Sequence, residues 1–145
     1  MSLWEFAVQL YRAPGVERQC LEWQSRGGDV CVLLCAAWLE QRAVPYSRAR
    51  HQALEQLALP WQREVVTPLR ALRQNWKARA ESDQALSSLR EHVKALELEA
   101  ERELLKRLQS LAQVWPADHA PSNWLGPLSG ERSADLTALR LTLGP

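Results

Sequence analysis

The 145-residue chain predicts an all-α protein. Apolar residues recur at spacings of three and four in nearly every segment, and no segment alternates apolar and polar residues as a half-buried strand would. Residues able to cap a helix also stand ahead of most of these stretches. The expected architecture is an N-terminal helical cluster around a buried third helix, plus a long antiparallel helical hairpin.

Ser2 followed by Glu5 forms a capping box, and Leu3, Phe6, Ala7 and Leu10 share one face, so a first helix is expected to about Tyr11. Pro14 can open the second helix, where its missing N–H costs nothing, with Val16, Cys20, Leu21 and Trp23 on a half-apolar face. Gly27 and Gly28 stop it by supplying the left-handed backbone a helix end prefers. Asp29 caps a third helix from Val30 to Arg42, whose first ten residues, Val30 to Leu39, are apolar all round. In a globular protein such a helix is surrounded on every side. Ser47 caps a fourth helix through Ala49, Ala53, Leu54 and Leu57, which Pro60 is expected to close.

Trp61 begins a fifth helix with Val65, Leu69, Leu72 and Trp76 on one stripe, and Pro68 should kink or split it near Val66. Arg63, Arg70, Arg73 and Lys77 fall on a different, basic stripe. After a cap at Ser82-Asp83 comes the longest helical pattern, reaching about Trp115, with Leu86, Leu89, Val93, Leu96 and Ala100 as its first apolar stripe. Leu104, Leu105, Leu108 and Leu111 widen that stripe. At roughly 45 Å such a helix needs an equally long neighbour, which the fifth helix supplies. From Pro116 onward prolines and glycines make an irregular stretch holding Trp124 and Leu125, with a short amphipathic piece from Ser133 to Leu143. The expected organisation is a single helical domain over 1–115 (cluster 1–59, hairpin 60–115) and a C-terminal appendage over 116–145.

Charge is balanced, with 18 basic and 17 acidic residues, so no global field points to DNA or a membrane surface. It is unevenly placed: residues 42–80 are basic and 81–105 acidic, as expected of two elements that neutralise each other. The basic residues are nearly all arginine and isoleucine is absent, a bias a GC-rich coding sequence produces without selection for phosphate binding. An odd count of three cysteines and an N-terminus without signal-peptide character point to the reducing cytoplasm. The longest apolar run, ten residues, is far short of a membrane span.

No catalytic constellation emerges. Cys31 and Cys35 lie one helical turn apart, and Cys20 with His51 would complete four metal ligands, but cysteines on so apolar a helix read as small hydrophobes. His51, His92 and His119 are scattered and read as surface residues, and no nucleophile elbow, HExxH, dinucleotide or P-loop pattern occurs. Glu97 shares a helix face with Glu101, and Glu99 with Glu103, which reads as pairing with nearby arginines, not as a di-metal set. Seven tryptophans are many for this length. Six fit helix stripes as packing residues, whereas Trp124, set among prolines, either anchors the tail or is offered to a partner.

Read in order, Leu3-Trp4-x-Phe6-Ala7, Leu10-Tyr11-x-x-Pro14-Gly15-Val16, Asp29-Val30-x-x-Leu33-Leu34 and Trp61-x-x-Glu64-Val65-Val66-x-Pro68-Leu69-Arg70-x-Leu72-Arg73 form a pattern. It resembles an uncharacterised family of small all-helical bacterial proteins carrying a domain of unknown function, over roughly residues 3–112. The resemblance brings no catalytic residues. It implies genes set beside an ABC-F type translation ATPase, and hence a partner in translation.

The expected function is a non-enzymatic module that binds another protein, using the Arg63/Arg70/Arg73/Lys77 stripe and the tail around Trp124 and Leu125. The alternatives are RNA or ribosome association through the stripe, and a small apolar ligand or unrecognised enzyme with a pocket lined by Trp38 and the third helix. No cofactor or metal is implied, and pairing of two copies through 86–111 is an open alternative. All of this rests on tryptophans and leucines gluing helices together without a reactive centre. A water-filled cleft where ionisable groups from several helices converge, or a metal held by the thiols, would contradict it.

Overall fold

Nothing polar interrupts residues 30–39, and that segment decides the packing. The computed structural model describes residues 1–120, 122–132 and 135–143. In chain order the helices are α1 (Leu3–Tyr11), α2 (Val16–Ser25), α3 (Val30–Gln41) and α4 (Arg48–Trp61), then α5 (Thr67–Asn75), α6 (Lys77–Ala80), α7 (Gln84–Ala112), α8 (Leu125–Arg132) and α9 (Thr137–Leu143). No strand occurs among the described residues, and no helix there is long and apolar enough to cross a membrane.

Every residue from Cys31 to Leu39 is buried, because α1, α2, α4, α7, α8 and α9 all lie against α3. The N-terminal caps form as expected. Ser2 and Glu5 close the capping box of α1, Asp29 Oδ1 accepts from the Cys31 and Val32 amides, and Ser47 Oγ accepts from Arg50. Helix α2 ends with Gly27 at φ 82°, and the Gly28 amide reaches back to the Trp23 carbonyl at 2.9 Å. Helix α3 ends the same way, with Ala43 in the left-handed conformation and the Val44 amide on the Leu39 carbonyl.

Pro60 does not close the fourth helix. The helix passes through it to Trp61 and continues as a π-helical turn, Gln62–Val66, directly into α5. The Thr67 amide bonds the Gln62 carbonyl five residues back, so the turn absorbs one extra residue. Pro68 then falls in the first turn of α5, where a missing N–H is tolerated.

The hairpin is antiparallel. Arg90 Nε donates to the Arg73 carbonyl near its tip, and Trp61 Nε1 donates to the Ala100 carbonyl at its base. Helix α7 has 29 residues, about 43 Å, and ends three residues before the expected Trp115. Its apolar stripe is only partly where the spacing placed it: Val93, Ala100, Leu104, Leu105 and Leu108 are buried as expected, but the outer part differs. Val93, Glu97, Ala100 and Leu104 are buried in the seam, while Leu89 and Leu96 are half exposed, at 53% and 50%. Helix α5 buries no residue fully, and its Leu72 is exposed. The outer part of the hairpin thus has charges in its seam and leucines on its flank.

The segment after residue 115 is not an appendage. Trp124, Leu125, Leu128, Leu136 and Leu139 belong to the same buried cluster as α3. The expected start of a short helix at Ser133 lies outside the described residues, and α9 covers Thr137–Leu143. Trp124 is fully buried, which overturns its expected role on an exposed surface. Its Nε1 donates to the Val44 carbonyl at 2.8 Å, its ring stacks on Trp115 and meets Tyr46 edge-on, and Leu125 is buried beside it. The Glu40 carboxylate accepts from the Trp124 and Leu125 amides at the start of α8 and pairs with Arg140 of α9. Gln19 accepts from the Leu139 amide.

The remaining tryptophans pack as expected, Trp23 and Trp38 buried and Trp4, Trp61, Trp76 and Trp115 partly so. Five of the seven carry an arginine over the ring: Arg102 on Trp4, Arg132 on Trp23, Arg42 on Trp38, Arg107 on Trp61 and Arg50 on Trp115.

Trp124→Ala is expected to destabilise the whole chain by about 3–5 kcal/mol, the range for emptying a buried tryptophan site, in a single urea transition. An appendage would instead detach with no effect on that transition.

Candidate functional site

Contrary to the expectation of helices packed without a centre of converging ionisable groups, a cleft of about 770 Å³ lined by Asp29, His51, Glu55, Arg63, Arg70 and Arg132 opens between the α2–α3 loop, α4, the π-helical turn, the start of α5 and α8. Its position follows from the end of α2. At Gly28 a side-chain Cβ would stand 2.3 Å from Trp23 Nε1, so only glycine lets the indole lie across the loop. There Trp23 Nε1 donates to the Asp29 carbonyl at 3.2 Å. That clamp sets Asp29 at the cleft wall, where Oδ1 accepts from two α3 amides and from Gln62 Nε2 at 2.8 Å. Among the described residues nothing donates to Asp29 Oδ2. Burial pushes the Asp29 carboxyl above its ordinary range against the pull of those donors.

Behind Asp29 lies a charged network. Arg70 Nε meets Glu97 at 3.2 Å and its Nη2 meets Glu101 at 3.5 Å. The Gln24 amide oxygen, turned toward the guanidinium, accepts from the same arginine. Arg73 grips Glu97 with Nε at 2.5 Å and Nη2 at 3.2 Å. That hydrogen bonding raises the Arg73 pKa, and burial, seconded by Glu97, raises that of Glu101.

The predicted interaction stripe therefore divides. Arg70 and Arg73 are half-buried and neutralised by the acidic helix, whereas Arg63 and Lys77 are exposed. Arg63 and Arg70 line the cleft together with Arg132, and Lys77 lies outside it, toward the hairpin tip. Trp124 and Leu125 contribute to no surface. Trp38 does line a hollow, but a separate one of about 340 Å³ between α1, α3 and α9.

His51 is buried, contrary to the surface position expected of it. It enters the cleft from α4, with Nε2 at 2.9 Å from Glu55 and 3.8 Å from Glu131 of α8, and Nδ1 at 3.1 Å from the Tyr46 hydroxyl. The cysteines do not join it. All three are free and buried, and burial pushes the Cys20 thiol up to about 11 and raises those of Cys31 and Cys35. At neutral pH they are protonated and are poor metal ligands.

Sequence reasoning reached Asp29 only as a helix cap and missed Gln62, Glu55 and Glu131 as neighbours of the site. The usable signal was Glu97. It stands four residues after Val93 and three before Ala100, the step pattern of the buried face, and so marks a charge inside the seam.

Residues 2–108 match the family model described as Protein of unknown function (DUF2390), and the chain belongs to that family. No curated protein and no solved structure matches it. The matched span ends within α7, so α8, which closes one side of the cleft, and α9 lie beyond it.

Asp29 and Glu101 give the site a pH signature. Both carboxyls titrate higher in the fold than in the unfolded chain, so their ionised forms cost stability at neutral pH. That cost disappears as the pH falls through their folded pKa toward the ordinary carboxylate range. In an Asp29→Asn, Glu101→Gln variant, where Asn still caps α3, this increment is absent. The stability of the native chain relative to the variant is thus expected to rise on mild acidification, read from urea midpoints. A relative loss would reverse the assignment.

Proposed function

We propose that this chain is a non-enzymatic binding protein whose cleft takes a small molecule with an apolar body and an acidic group. The observation that carries this reading is the convergence of side chains from five segments on one cleft of about 770 Å³. That volume is typical of small-molecule sites, which combine apolar walls with a few polar groups. Trp23, Val32, Leu59 and Leu128 supply apolar wall, and Gln52 and Gln56 supply amides. Arg63, exposed and without an ion pair among the described residues, offers a guanidinium at the mouth to a carboxylate or phosphate.

Chemistry is the weaker reading. Among the described residues His51 makes no hydrogen bond to a serine, threonine or cysteine; its partners are Tyr46, Glu55 and Glu131. RNA association is also weakened, because Glu97 and Glu101 offset Arg70 and Arg73 and leave the basic stripe interrupted.

Native mass spectrometry of the protein purified at low ionic strength, without added ligand, is expected to show a small-molecule adduct. Arg63→Glu should remove it while leaving the fold unchanged. A clean apo mass for the native chain argues against this function.

The hairpin supports a second reading, the protein contact expected from the sequence. On each arm helix the seam has two flanks. Arg70 and Glu101 mark one, and helical geometry turns Leu72, Leu89 and Leu96 toward the other, where they stand exposed. An apolar helix stripe of a partner protein laid along these leucines is the occupant such a flank favours. Leu89→Glu with Leu96→Glu is expected to abolish in-cell crosslinks to a single partner, with stability unchanged. Crosslinks that survive the double variant would place the contact elsewhere.

A further inference from the structure

We propose that His51, Glu55 and Glu131 bind a divalent transition-metal ion, with zinc the best fit to the donor set. One ligand atom from each of the three lies within 4.8 Å of the other two. His51 and Glu55 are four residues apart on α4, which presents both side chains on one face, and Glu131 comes across from α8.

Distances support the assignment. Around tetrahedral zinc, bonds of about 2.0–2.2 Å hold ligand atoms roughly 3.3–3.5 Å apart. The His51 Nε2 separations of 2.9 Å to Glu55 and 3.8 Å to Glu131 bracket that value. The side chain of Glu131 is 53% exposed and free to swing the short distance needed. The imidazole is already oriented as metal-bound histidines are, with Nδ1 against the Tyr46 hydroxyl. Holding its proton on Nδ1, His51 donates to Tyr46 Oη and leaves the Nε2 lone pair for the ion.

Charge supports it too. Two carboxylates face one imidazole, and a single Nε2–H can donate fully to only one of them. No lysine or arginine among the described residues forms an ion pair with Glu55 or Glu131. Arginine meets the carboxylates of Glu97 and Glu40, whereas those of Glu55 and Glu131, partly exposed, face only the imidazole among the described residues. A divalent cation supplies the missing positive charge.

Three protein ligands leave at least one coordination position open. His51 and Glu55 line the cleft, so that position is available to water or to an acidic group in it. The metal site needs only its own three residues and stands whether or not the cleft takes an organic acid.

The test uses the full chain, stripped with a chelator and dialysed, then titrated with Zn²⁺ by calorimetry and with Co²⁺ by visible absorption. One ion per chain is expected, with cobalt d–d bands and no thiolate-to-cobalt charge-transfer band. His51→Ala should abolish binding. Glu131→Gln, at an exposed position that leaves the fold intact, should weaken it more than the roughly 10–100-fold typical of losing an outer-shell partner. Tyr46→Phe should fall within that outer-shell range. Absence of saturable binding, equal affinity in the Glu131→Gln variant, or a thiolate band would each overturn the proposal. An intact metal site without a small-molecule adduct would leave this assignment standing and remove only the ligand reading.

Discussion

The structure depends on one constraint: α3 is apolar on all sides, so the rest of the chain must surround it. Burying a helix also buries its ends, and their unpaired backbone groups need partners. Those partners shape everything else. At the N-terminus Asp29 takes two amides and, through the same oxygen, holds Gln62 of the π-helical turn. At the C-terminus the left-handed Ala43 turns the chain so that the Val44 carbonyl meets Trp124, while Glu40 holds the start of α8. The cleft and the tail are thus two consequences of closing one helix.

The hairpin shows a different balance. Its seam contains a carboxylate gripped by two arginines where leucine would pack. Such a buried network rarely stabilises more than an apolar seam, because desolvating the charges offsets most of their attraction. It does favour this register, since Glu97 meets Arg70 and Arg73 together here. The leucines displaced from the seam remain on its flank, and the same choice that sets the register leaves apolar surface in water.

Much of this was legible in the residues. Capping at Ser2, Asp29 and Ser47, the glycine stop after α2, the all-round burial of α3 and the opposed charge blocks all follow from local chemistry. The failures have a common physical origin. Pro60 reads as a stop because local rules assume α-helical spacing, and a π-helical turn removes that assumption. Leu89 and Leu96 read as core because hydrophobic spacing has no term for a guanidinium pair that claims the seam first. Trp124 reads as ambiguous because its partner, a carbonyl some eighty residues earlier, has no local signature. The cleft was invisible for the same reason: its walls come from five segments whose approach is tertiary.

The arginines complete the argument. A chain with this many guanidinium groups invites a nucleic-acid reading, yet the fold places five of them over indole rings and sets others on Glu97 and Glu40. The carboxylate contacts offset charge that an outside polyanion would need, and the ring contacts hold the other guanidinium groups against the fold. Among the described residues Arg63, at the cleft, forms no ion pair with a carboxylate, and Glu55 and Glu131, beside His51, form none with a guanidinium. These groups support the proposed cleft site more than one along the stripe, where Arg70 and Arg73 are paired with Glu97.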